Sequence, residues 1–178
     1  MNASRYLLLA ALAVGALPGA ALAAPGNTES EPGTARAEMV DVGRLTWIAD
    51  LRFGRFAQPT AAGTMTISPF GVVTATGQVA GTLSMPQAPT GRGPGHWLVD
   101  GTGYRRFNVN LPNTVTITRV GGGATMTVTN ITSNTVNGSQ TFPSNGLFNL
   151  YIGGRLNVAA NQVPGNYRGS LIFSVIYQ

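Results

Sequence analysis

The sequence has no cysteine, no lysine and a single histidine in 178 residues. Without cysteine there can be no disulfide framework, no thiolate metal centre and no lipid attached to a cysteine. Burial of apolar surface therefore has to hold the fold together. Charge is sparse as well, at 10% of residues, and all eleven cations are arginines. They are scattered along the chain and form no basic block. A dedicated nucleic-acid-binding face, which needs a clustered basic patch, is not expected.

The acids number six: Glu29, Glu31, Glu38, Asp41, Asp50 and Asp100. The first four lie in or next to a polar N-terminal stretch, which leaves Asp50 and Asp100 alone and far apart in sequence. A glycosidase-type carboxylate pair would require those two to converge. The histidine, His96 in "GPGHWLVDG", lacks the companions of a metal site or an oriented acid–base pair. This inventory reads as non-enzymatic, with no catalytic residue, metal ligand or cofactor expected. A secreted hydrolase is the weakest of the functional readings.

The N-terminus reads as a secretory leader. Arg5 is followed by the apolar run Tyr6 to Leu17 and by "ALA" at Ala21 to Ala23, so cleavage is expected between Ala23 and Ala24. The run is shorter than the span of about 20 residues a membrane helix needs, and no second long run follows. Residues 1–23 are thus expected to be removed, leaving ten basic and six acidic residues, a charge of +4. The product would reside in the periplasm, at the cell surface or outside the cell. Residues 24–38, "APGNTESEPGTARAE", bury almost nothing and read as a flexible arm. Residues 39–178 read as one domain.

Past the arm the pattern has period two. "LTWIADLRFGRF" sets Leu45, Trp47, Ala49, Leu51 and Phe53 on one face. Thr/Val/Ile runs such as "NTVTITRV" and "ATMTVTN" alternate with turn signals such as "SPFG", "TGRGPG" and "VPGN". The expected fold is all-β: an immunoglobulin-like or pilin-like sandwich of about seven to nine strands without a disulfide, and no helix of three turns. "GGG" at Gly121 to Gly123 lies between strands and reads as a hairpin loop rather than a phosphate cradle. Asn130 and Asn137 begin glycosylation-type triplets that are common by chance in such a sequence. The Gly153–Gly154 pair marks a bulge or bend.

The last strand pattern, "PGNYRGSLIFSVIYQ", puts Leu171, Phe173, Val175 and Tyr177 on one face and Ser170, Ile172, Ser174 and Ile176 on the other. Counted back from Gln178, the tyrosine is second and Gly165 fourteenth. This resembles the C-terminal signature of chaperone–usher pilin subunits. The resemblance implies β-augmentation, with Gly165, Leu171, Phe173, Val175 and Tyr177 as partner-binding residues. It also implies a periplasmic chaperone and like subunits as partners, and a donor arm around Met39. In that arm Ala35, Ala37 and Met39 share a face that Asp41 interrupts, while the other register offers Val40 and Val42 after Glu38.

A second resemblance runs through "DLRFGRF", "AGTMTISPFGVVTATG", "FNVNLPNTVTITR", "ATMTVTN" and "IGGRLNVAANQVPGNYRGSLIFSVIYQ". In order and spacing these pieces are similar to the bacterial domain-of-unknown-function family 4402. That family implies an exported β-sandwich with no established catalytic residues to carry over. Two functions are expected to compete. One is a structural subunit of a surface fibre or coat. The other is a secreted monomeric module that binds a polysaccharide or surface ligand, with Trp47, Trp97 and Tyr104 as stacking candidates, although aromatics in sandwiches are more often core. In a self-complete domain, Leu45 to Phe53 would simply pair within its own sheet.

Overall fold

Threonine alternating with valine, isoleucine and methionine suits a pleated, half-buried surface, and strands form wherever that pattern runs. The computed structural model describes residues 43–178. The expected leader, arm and Met39 lie outside the described residues. The strands are β1 (Arg44–Ala49), β2 (Gly63–Ile67), β3 (Val73–Gly77), β4 (Gly95–Asp100), β5 (Arg106–Asn110) and β6 (Thr114–Arg119). They continue with β7 (Thr125–Ser133), β8 (Ser139–Thr141), β9 (Leu147–Val158), β10 (Tyr167–Arg168) and β11 (Ser174–Tyr177). Among the described residues the only helical element is a short 3₁₀ segment, Gln78–Thr82. Eleven strands exceed the seven to nine expected, and the short ones account for the difference: β8 has three residues and β10 two.

The strands form an all-β sandwich of unequal layers, one sheet of eight strands and one of three. The spine of the large sheet is β9, twelve residues long. Its first half pairs antiparallel with β4, which carries β1 at the edge. Its second half pairs with β2, which carries β3. Along its other side lies β7, followed by β6 and then β10. The small sheet runs β11-β5-β8.

The handover on β9 occurs at the glycine pair. A Cβ on Gly153 would stand 2.2 Å from the Ile67 carbonyl oxygen and 2.8 Å from Pro69 N, so only glycine lets β2 end against the spine. β9 itself runs through the pair unbroken. The irregularity lies on its neighbour, where the β7 register shifts between Thr129 and Thr132. Asn130, at φ 50, supplies the left-handed residue within that shift. The extra residue resets the alternation. Met126 and Val128 face inward before it and Ile131 after it, and Asn130 stays exposed.

Two clusters make up the core. In the first, Val99, Leu150 and Ile152 of the large sheet meet Phe107, Val109 and Phe142. The Phe107 ring lies 4.4 Å from Phe142 and 5.4 Å from Phe148, centroid to centroid. This cluster has a sheet on each side. In the second, Met65, Met126, Val128, Leu156 and Val158 meet Val79. No second sheet faces them, and irregular chain provides the cover, through Leu51, Phe53, Phe56 and Leu83. No polar or charged residue is fully buried among the described residues.

Two substitutions probe this packing. Phe107→Ala is expected to cost about 3–5 kcal/mol, because it empties the centre of the two-sheet cluster. Gly153→Ala should cost about 1–3 kcal/mol, because the methyl must push the β2 end away from β9. Both are read as shifts of the urea midpoint at unchanged slope.

Candidate functional site: an apolar groove over the long sheet

The small sheet covers only part of the large one, so the remaining apolar face borders a groove. Its floor comes from alternate residues of β6 and β7, with Val115, Ile117 and Val128 among them. One bank is the irregular segment after β1, around Leu51 to Gly54, and the other is Tyr167 to Leu171. The cleft between them has a volume of about 780 Å³. It continues into a second depression of about 480 Å³ that reaches Met126, Leu156 and Pro164. The two share Phe53, Gly54, Ile117, Tyr167 and Arg168, so they form one trough.

Each bank has only a short stretch of backbone pairing, the Arg52–Gly93 bridge on one and β10 against β6 on the other, and side chains hold the rest. On the first bank, Arg92 donates from Nε to the Phe53 carbonyl at 3.2 Å and from Nη2 to the Arg55 carbonyl at 2.8 Å. Its Nη1 reaches the Leu83 carbonyl at 3.0 Å. The Gln87 amide holds both sides of Arg55: it accepts from the backbone N at 2.8 Å and donates to the carbonyl at 2.9 Å. On the second bank, Arg119 Nε donates to the Pro164 carbonyl at 2.9 Å, and the Tyr167 hydroxyl is tied to Val163 and Gln162. Gly165, at φ 150, lies in this turn. A Cβ there would stand 2.7 Å from Arg119 Nε and displace that bond. The geometric role of Gly165 is therefore to fix the bank, outside any strand.

The expected partner-binding side chains of the last strand mostly face their own core. Leu171, Phe173 and Val175 pack on the two-sheet cluster, and Phe173 meets Trp97 edge-on at 4.9 Å. Regular strand covers only Ser174–Tyr177, paired antiparallel with β5 from Ser174↔Asn110 to Tyr177↔Phe107. The other edge of β11 has no strand partner among the described residues. Ile172, on the outward side, is 78% exposed. Tyr177 is 37% exposed. Its ring stacks near Phe142 and lies over Gly43, and its hydroxyl donates to the Arg44 carbonyl at 3.3 Å. It thus joins the last strand to the start of β1. Burial raises the pKa of its phenol above the usual tyrosine value, and the charge of Asp100 adds to the shift.

The remaining sequence candidates do not converge. His96 sits on the large sheet with Nε2 2.9 Å from Asn149 Oδ1 and its ring stacked on Tyr151. Asp100 pairs in register with Arg44 at one end of β1, and Asp50 follows the other end, where it accepts from Trp47 Nε1 at 3.0 Å. The carboxylate pair is therefore not assembled. No group of three or more potential metal ligands occurs among the described residues. The stacking candidates are also dispersed. Trp47 is 60% exposed at the sheet edge, Trp97 packs on Phe173, and Tyr104 is 76% exposed at φ 64 in a turn. Two residues that the sequence did not single out matter here. Arg92 ties the bank, and Arg52 lines the groove with a buried Nε that finds no acceptor among the described residues.

These features define an all-β sandwich whose shorter layer leaves a trough of mixed polar and apolar lining with fixed banks. The chain belongs to the DUF4402 family, a domain of unknown function, whose family model matches residues 44–177. No curated protein and no solved structure matches the chain. No helix among the described residues is long and apolar enough to cross a membrane.

Two outcomes are expected. Arg92→Ala should destabilise the domain by about 2–4 kcal/mol, because it strands several carbonyls at once, and it should raise amide exchange along residues 51–56. Tyr177 gives a pH dependence. Below about pH 10 its phenol is neutral folded or unfolded; above that the unfolded chain ionises first, so stability falls as pH rises. In Tyr177→Phe this part of the alkaline loss disappears, as read from melting temperatures between pH 8 and 11.

Proposed function

We propose that the protein is an exported structural subunit of a fimbria-like or surface-coat assembly, joined by β-strand complementation. The observation that carries this reading is the trough, a cleft of mixed polar and apolar lining beside the half-buried Val115, Ile117 and Ile131, with fixed banks. Its banks come from the start and the end of the described domain. An extended strand presents side chains at period two, and a trough floored by alternate residues of two strands suits such a guest. The edges of β1 and β11, which have no second strand partner among the described residues, support the same reading, because an open edge invites addition of another strand.

In this scheme the leader, residues 1–23, sends the chain across the membrane. A periplasmic chaperone then covers the trough, and a like subunit replaces it. Leu171, Phe173 and Val175 contribute through the core that shapes the trough, Gly165 through its bank, and Tyr177 through the tie to β1. The competing reading is a secreted monomeric binding module, for which the strained, exposed Tyr104 is the supporting observation.

Size exclusion of the exported chain separates the two. The subunit reading expects chaperone-dependent yield, or a ladder of oligomers that collapses on heating. A sharp, cooperatively melting monomer made without any partner would favour the binding module. Deleting Ser174 to Gln178 should abolish export or assembly, and wild-type levels of assembled protein in that deletion would overturn the subunit reading.

A further inference from the structure

The charge of the described domain is one-sided. Residues 43–178 carry nine arginines against Asp50 and Asp100, a net of +7. Both acids are engaged away from the narrow end of the trough: Asp50 accepts from Trp47, and Asp100 stands opposite Arg44 across the β1–β4 pair. That narrow end, the depression of about 480 Å³, has Arg55 on one bank, Arg168 on the other and no acid in its lining. Both arginines are exposed, and neither guanidinium has a hydrogen-bond or ion-pair partner among the described residues.

These two differ from scattered surface charge in how they are held. Gln87 accepts from the Arg55 backbone N at 2.8 Å and donates to its carbonyl at 2.9 Å, and Arg92 adds a bond to the same carbonyl at 2.8 Å. Three bonds thus fix the backbone of a residue whose own side chain makes none. Arg168 pairs within β10 and follows Tyr167, whose hydroxyl is tied to Val163 and Gln162. Two like charges on fixed backbones facing one cleft repel, and walls of low dielectric focus their field there. An anion between them relieves the repulsion, and banks already fixed lose little freedom when it binds.

We infer that this depression binds an acidic polysaccharide, with Arg55 and Arg168 taking its carboxylates. The half-buried rings of Phe53, Phe56 and Tyr167 line the same space and offer apolar faces to the C–H side of a sugar ring. The exposed Gln58 and Asn166 add amides that can donate to and accept from its hydroxyls. A bare phosphate would use the arginines and leave the rings idle, so a carboxylated sugar chain matches more of the lining. The volume falls within the range of about 300–1,000 Å³ usual for small-ligand sites. The inference goes beyond the strand-complementation reading and does not rest on it. Arg55, Phe56, Gln58 and Asn166 line this depression and not the wider cleft over Val115 and Ile131.

The test is calorimetric titration of the exported chain with trigalacturonate. Binding is expected, and it should weaken as salt rises. Arg55→Gln and Arg168→Gln should each lower the affinity about tenfold. Their melting temperatures should stay unchanged, because neither side chain holds the fold. Arg155→Gln removes an exposed arginine of β9 that lines neither part of the trough, and it should leave the affinity as it was. The methyl ester of trigalacturonate keeps the sugar rings without the charge and should bind about tenfold more weakly. Several results overturn the inference: no binding by the cooperatively folded chain, equal affinity for the ester, or the same loss in Arg155→Gln as in Arg55→Gln, which would make net charge the cause. Displacement of trigalacturonate by an equimolar amount of inorganic phosphate would show a simple anion site and overturn the assignment to a polysaccharide.

Discussion

An apolar sheet face has to be covered, and in this protein the covering layer is shorter than the face. β9 spans twelve residues and serves two neighbours in succession on one side, while only three short strands lie in the small sheet. The rest of the architecture follows from that mismatch. Where the small sheet is present, aromatic and aliphatic side chains from both layers interlock around Phe107. Where it is absent, Met126, Val128 and Leu156 are met by loops and by the 3₁₀ segment. Loops cannot supply a continuous ladder of side chains at sheet spacing, so a trough remains beside the half-buried Val115 and Ile117 even though Met126, Val128 and Leu156 are themselves covered.

Loops that border such a trough would ordinarily fall into it, since collapse removes apolar surface from water. Here hydrogen bonds hold them off. The five N–H donors of a guanidinium in a fixed fork make arginine suited to the task, because one side chain can satisfy several carbonyls that no strand partner reaches. Arg92 does this for one bank and Arg119, with the Tyr167 hydroxyl, for the other. Under the proposed strand complementation, banks fixed in advance would lose little freedom on binding, so more of the contact energy would appear as affinity. The absence of cysteine points the same way. A chain with no disulfide to brace its loops has braced them with side-chain to backbone bonds.

The strands were legible because period two and β-branched residues are local signals. β6 and β7 appear where "NTVTITRV" and "ATMTVTN" predict them. The ends were less legible. The first strand pattern continues to Phe53, but β1 stops at Ala49 after a register shift, and only Arg52 rejoins the neighbour as a single bridge. The last pattern reads as strand from Arg168 on, but residues 169–173 leave the sheet, and β11 begins at Ser174. Both departures occur where the second layer runs out, a consequence of long-range pairing that no local window contains. The bulge behaves in the same way. The glycines on β9 signalled an irregularity, and it falls on β7, across the sheet, at Asn130. Arg92 and Arg52 carried no signal at all, since a scattered arginine looks the same whether it clamps carbonyls or faces solvent.

The terminal strand attracts attention in the sequence because its alternation is clean, yet alternation is also what a strand needs to pack on its own core. Leu171, Phe173 and Val175 spend their side chains there, and a partner cannot read side chains that are already engaged. What β11 leaves for another chain is its free backbone edge and the outward Ile172 and Ile176. A backbone edge selects for extended conformation and says little about sequence. If strands are added as proposed, selectivity would have to come from the trough, where half-buried floor residues and the lining arginines Arg52, Arg55 and Arg168 meet the guest. On the proposed strand complementation, the half-buried Val115 and Ile117 would be the floor residues in a position to tell one guest from another, while Tyr177 joins the last strand to the start of β1.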